Sequence, residues 1–168
     1  MSKPFVAVLM GSDSDLPTMQ AALEVLERLR ISTEVKITSA HRTPEATHDY
    51  VKDAEARGCA VFIAAAGLAA HLAGAVAGLT IKPVVGVPID AGPLNGMDAL
   101  LSTVQMPGGV PVACVAIGKV GAKNAGYLAA QMLALQDADL AERLRVERSN
   151  DATQLAQKDA ALQDRLNQ

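Results

Sequence analysis

The chain has 168 residues, of which half are hydrophobic, 20% charged and 2% aromatic, with a formal net charge of −3. That describes one folded domain and excludes a largely disordered chain, and it offers neither the basic surface nor the stacking rings of a nucleic-acid binder. No apolar run approaches the roughly 18 residues of a membrane span, and the opening MSKPFVAVLMGSDSD lacks a cleavable-signal pattern, so a cytoplasmic protein is expected.

In chain order, Phe5–Met10 is a short apolar run ending at Gly11, as buried parallel strands do. Leu16–Arg30 is predicted to be a helix, with Ser14 or Asp15 as N-cap, Pro17 in its first turn, and Leu16, Met19, Leu23, Leu26 and Leu29 along one face. Thr33–Thr38 alternates and is predicted to be a strand nearer an edge, with Val35 and Ile37 inward and Glu34 and Lys36 outward. Thr43-Pro44-Glu45 supplies N-cap, first helical residue and acidic first turn of a second helix, which Gly58 closes. Ala60–Ala65, Val84–Val87 and Val112–Ile117 are three further strands. Helices are predicted at about Ala69–Leu79, Gly96–Val104 and Ala122–Leu135. Five strands alternating with helices imply a three-layer α/β domain, residues 1–137, whose parallel sheet is doubly wound in the order 2-1-3-4-5. Residues 138–168 are charge-rich, with leucines spaced for two helical segments broken near Ser149-Asn150. This polar tail is expected to belong to the same domain and to lie on a neighbouring subunit.

Ligands of such sheets bind beyond the carboxyl ends of the strands where the order reverses, here between strands 1 and 3. The loops leaving strands 1 to 3 read Gly11-Ser-Asp-Ser-Asp15, Ser39-Ala-His-Arg-Thr-Pro44 and Ala66-Gly-Leu-Ala-Ala-His71. The first exceeds what a helix cap requires. Its hydroxyls and amides suit a phosphate and its carboxylate suits sugar hydroxyls, but GxxxxGK[ST] is absent. Beside it, Arg42 is a candidate phosphate clamp and His41 a candidate proton carrier. His71 is read either as a core histidine or as a member of the site, and His48 is assigned no role. Cys59 and Cys114 lie in apolar runs without CxxC or Cys/His spacing, and are read as buried packing thiols. No His pair or carboxylate motif indicates a metal.

The Met10–Asp15, Ser39–Pro44 and Gly67–Leu72 stretches resemble those of the N5-carboxyaminoimidazole ribonucleotide mutase (PurE, class I) family of purine biosynthesis. So do Gly86-Val-Pro88, Ser102–Pro107, Gly109–Val112, Ala116–Gly118 and Gly121–Ala125 in the second half. The resemblance covers about residues 5–136. It implies a flavodoxin-like fold, a homo-octamer, and a reaction without metal, nucleotide or organic cofactor. In that reaction the carboxylate moves from N5 to C4 of the ribonucleotide through bound CO2. By position, Ser12, Asp15 and Arg42, with Gly11, Ser14, Ser39 and Ala40 around them, hold the ribose phosphate. His41 is the general acid/base, and Gly67, Ala69, Ala70, His71 and Leu72 enclose the carboxylate and CO2. Two departures touch that last loop: the family usually has glycine where Leu68 stands and proline where Ala73 stands. Asp13 occupies a position that is often basic.

Four other readings compete. A response-regulator receiver would also carry acids after strand 1 and a lysine where Lys119 stands, but it requires a phospho-acceptor carboxylate in Ala64–Gly67, which has none. An FMN carrier lacks its aromatics. A related carboxylase would use CO2 and aminoimidazole ribonucleotide directly, and a non-enzymatic module would bind the ribonucleotide without turning it over.

Overall fold

The computed structural model describes residues 4–167. The chain divides into two compact units, Met1–Met132 and Leu133–Gln168. In the first, β1 (Phe5–Met10), β2 (Ser32–Ile37), β3 (Cys59–Ala66), β4 (Val84–Pro88) and β5 (Ala113–Cys114) alternate with α1 (Leu16–Arg28), α2 (Pro44–Ala56), α3 (Leu72–Ala77), α4 (Met97–Val104) and the start of α5 (Gly118–Ala134). All paired strands are parallel, in the expected order β2-β1-β3-β4-β5, and helices cover both faces. The fold is flavodoxin-like.

Strand periodicity builds the two core layers. Phe5, Ala7 and Leu9 of β1 join Phe62 and Ala64 of β3 in a cluster with Val51 and Ala54 of α2 and Leu72, Ala73 and Val76 of α3. Val6, Val8, Met10, Ile63 and Ala65 point the other way and are equally buried. There α1 and α5 approach closely. A Cβ on Gly126 would stand 3.0 Å from the Ala22 carbonyl oxygen and 3.0 Å from the Val25 side chain, so glycine permits that helix spacing.

Several local expectations are corrected. In β2, Val35 and Ile37 are exposed, not inward. Glu34 instead faces α2, where its carboxylate accepts from Arg57 and, at 3.2 Å, from the Tyr50 hydroxyl, while Lys36 lies over the Tyr50 ring. With a period of two, that polar cluster turns the apolar pair to the opposite side. In α1, Met19, Leu26 and Leu29 are buried as expected, but Leu16 is exposed, and Ala22 and Val25 complete the buried face. The helix α3 begins at Leu72 rather than Ala69, because residues 69–71 form a tight turn in which the His71 amide donates to the Ala69 carbonyl at 2.9 Å. Strand β5 keeps only Ala113 and Cys114 of Val112–Ile117. The chain turns away at once into α5, which starts at Gly118 (φ 73°) rather than Ala122. Cys59 is buried, with burial pushing its thiol up to about 11. Cys114 on the short edge strand is only half-buried.

The second unit contains α6 (Ala138–Leu166), a single helix of 29 residues capped by the Asp137 side chain, which accepts from the Leu140 amide at 2.9 Å. The expected break near Ser149-Asn150 is absent. Neither residue removes a backbone donor as proline would, and the Thr153 hydroxyl folds back on the Ser149 carbonyl at 3.0 Å within an unbroken helix.

Candidate active site

Three loops leave the carboxyl ends of β1, β2 and β3 and enclose a cavity of about 300 Å³. Its lining holds Gly11, Ser12, Ser14, Asp15, Ser39, Ala40, His41, Arg42, Gly67, Ala69, His71 and Leu72, together with Ala66, Leu68 and Ala91. Of the residues expected at the site, Ala70 alone is outside this lining, buried beneath the loop. Ala91 was not foreseen. It lies after β4, and the rule that ligands sit beyond strand ends points to that loop as well as the first three.

The first loop is a 3-10 turn, Asp13–Asp15, rather than a simple helix cap. Ser12 is the N-cap of that turn, while Asp15 is the N-cap residue of α1, as expected, without a side-chain bond to the helix. The Ser12 hydroxyl accepts from the Ser14 amide at 3.3 Å, and the Asp15 carboxylate accepts from the Ser12 amide at 3.2 Å, a reciprocal capping box. The Ser14 hydroxyl adds a 2.9 Å bond to Ser12. Asp15 is largely enclosed, and burial raises its carboxyl above the ordinary range while the Ser12 and Gly11 amides oppose the rise.

The second loop is fixed by hydroxyls. Thr43 is the N-cap residue of α2 but makes no side-chain cap bond to the helix. Its hydroxyl turns back, accepting from the Ser39 amide at 3.0 Å and donating to the Ser39 carbonyl at 3.2 Å. The Ser39 hydroxyl accepts from the Arg42 amide at 3.2 Å. Beneath them, the Thr38 and Thr47 hydroxyls meet at 2.7 Å, both buried. At the loop's tip the Arg42 guanidinium donates to the Gly11 carbonyl at 2.6 Å, joining the second loop to the first.

The third loop brings His71 to His41. Nε2 of His41 and Nδ1 of His71 are 2.7 Å apart, with the rings edge to face and their centroids separated by 4.8 Å. His71 is exposed and lines the cavity, so it is not a core histidine. One ring donates and the other accepts, with the tautomer deciding which, and the second nitrogen of each ring stays available. His48 is half-exposed on α2, paired with Asp49 at 3.1 Å. Leu68 adopts φ 55°, in the left-handed region that glycine favours.

The arrangement thus offers hydroxyls and one guanidinium on one side, a histidine pair in the centre, and small apolar side chains beyond it. A family model described as AIR carboxylase matches residues 5–154. The chain is 53% identical over 148 residues to the N5-carboxyaminoimidazole ribonucleotide mutase of Bacillus subtilis (strain 168), covering 88% of this chain and 91% of the relative. It is 52% identical over 160 residues to the protein of that name in a Synechocystis species, covering 95% and 90%. The crystal structure of Treponema denticola PurE superposes with a TM-score of 0.86 at 30% identity, over 95% of this chain and 99% of that one. With the match running from β1 into α6, this chain belongs to the AIR carboxylase family.

Proposed function

We propose that this chain is an N5-carboxyaminoimidazole ribonucleotide mutase of purine biosynthesis. The relatives at 52–54% identity carry that name. The observation that carries the chemistry is the His41–His71 pair, set in a cavity between a hydroxyl-rich loop and an apolar one.

Ser12, Asp15 and Arg42 hold the ribose phosphate. The 3-10 turn presents its hydroxyls, and the Gly11 carbonyl already orients Arg42. His41, as imidazolium, gives a proton to N5 as the N5–carboxyl bond breaks, leaving the amine and CO2. Carbon C4 then bonds to CO2, and the neutral imidazole removes the C4 proton to restore the aromatic ring. The carboxyl group and one proton change places, and nothing is oxidised or reduced. One imidazole serves both steps because its ordinary pKa lies near neutrality. Ala66, Leu68, Ala69 and Leu72 line the compartment where CO2 resides, and excluding water favours its recapture.

Supplying N5-carboxyaminoimidazole ribonucleotide without added bicarbonate tests this reading. Formation of the 4-carboxy product is expected. Product formed only from aminoimidazole ribonucleotide plus CO2 would identify a carboxylase, and stoichiometric binding without turnover a binding module.

The enzyme works as a homo-octamer, with α6 lying on a neighbouring subunit. Exposed Val35, Ile37, Ile81 and Val120 favour association, since side chains of this kind gain by leaving water. A helix as polar and as exposed as α6 also needs a partner surface. Deleting residues 139–168 is expected to reduce the particle size seen by light scattering and to lower activity with it. Unchanged size and activity would remove α6 from the assembly.

A further inference from the structure

The 67–72 loop and the segment after β4 are joined in register. The Ile89 amide donates to the Ala66 carbonyl at 2.9 Å. A Cβ on Gly67 would stand 2.9 Å from the Ala91 Cβ. At the next step, a Cβ on Gly92 would stand 2.5 Å from Cδ2 of Leu68, closer than real Cβ atoms come. The Leu68 side chain therefore occupies room that exists because residue 92 is glycine. Both residues have positive φ, 55° for Leu68 and 73° for Gly92. A leucine in that region is unfavourable in itself. Its side chain is half-exposed and lines the cavity three residues before His71.

A surface leucine on its own needs no explanation. This one combines a disfavoured backbone with a seat that a side chain on its neighbour would take, and Leu68 lines the compartment assigned to CO2, as does Ala91 beside Gly92. We propose that the Leu68–Gly92 contact is the closing wall of that compartment, with Leu68 a positioning residue that retains the one-carbon fragment between its release from N5 and its capture at C4. The inference rests on the mutase reading above. What matters is that the space is filled and the loops are in register, so Leu68 and Gly92 are coupled.

The test uses the full-length enzyme and substrate carrying an isotopic label in its carboxylate, turned over in unlabelled bicarbonate. The readouts are kcat, KM and the label retained in the 4-carboxy product. Wild type is expected to retain most of the label. Leu68→Gly is expected to relieve the backbone while opening the wall, raising label loss about fivefold with KM little changed, and Leu68→Ala, which keeps the disfavoured backbone, is expected to leak alike. In Gly92→Ala the new methyl drives Leu68 from its seat, and kcat should fall about tenfold. The double variant Leu68→Gly/Gly92→Ala, with the space refilled from the other side, is expected to return both readouts to within about threefold of wild type, a coupling that independent sites do not show.

Multiplicative effects in the double variant, wild-type retention in both Leu68 variants, or a wild-type enzyme that exchanges its label freely would overturn the contact's role. Should Gly92→Ala not fold, the two Leu68 variants still decide the matter by label loss. A wild-type enzyme that makes no product from the labelled substrate would instead overturn the mutase reading itself.

Discussion

Replacing His41 by asparagine is expected to lower kcat by about 10²–10⁴-fold, with ribonucleotide affinity within about tenfold of wild type. Asparagine preserves polarity and approximate size, so it can still hydrogen-bond His71, but its amide does not take up and return a proton. The loss should fall toward the upper end of that range, because one imidazole serves both the protonation of N5 and the removal of the C4 proton. His71 sits 2.7 Å away and is the obvious substitute. It arrives on a different loop, at the start of α3, so it does not occupy the position His41 leaves. Single-turnover measurement with saturating substrate separates the chemical step from binding. Activity within tenfold of wild type would show that another group, His71 first, carries the proton.

The three loops were legible in the sequence because the first and third follow short apolar runs that read as buried strands and the second follows an alternating run that reads as an edge strand. The sheet order, once inferred, places their ends together. Their internal geometry was not legible. Ser14 and Asp15 both look like caps for α1, and Asp15 does hold that N-cap position, but its carboxylate makes no cap bond to α1 and instead reaches back to the Ser12 amide, closing the 3-10 turn that precedes the helix. Thr43 reads as an ordinary N-cap, but its hydroxyl closes the Ser39 turn instead. The face of β2 was inverted for a similar reason. Alternation fixes which residues share a side but not which side is covered, and the Glu34 contacts with Tyr50 and Arg57 decide it. His71 was ambiguous in sequence, since its surroundings of alanine and glycine suit a core as well as a small closed compartment. Only the 2.7 Å meeting with His41, thirty residues away in sequence, separates the two.

Replacing Arg42 by alanine is expected to act on affinity rather than on the chemical step. A hydrogen bond between a guanidinium and a phosphate contributes roughly 1.5–3 kcal/mol, so KM for the full ribonucleotide should rise about 10- to 150-fold. The arginine is held in place before substrate arrives by its 2.6 Å bond to the Gly11 carbonyl. Little ordering remains to be done on binding, which favours the upper part of the range. The same bond links the second loop to the first, so its loss also loosens the loop that carries His41. The Ser39 and Thr43 hydroxyl bonds remain and hold that loop from its own side, which should limit any fall in kcat to a small factor. Arg42 is exposed, and its removal leaves no buried group unpaired, so the melting temperature should change little. Lysine at this position keeps the charge but not the planar fork, and is expected to recover only part of the affinity. An unchanged KM for Arg42→Ala would contradict the clamp and move the phosphate to the serine-rich turn alone.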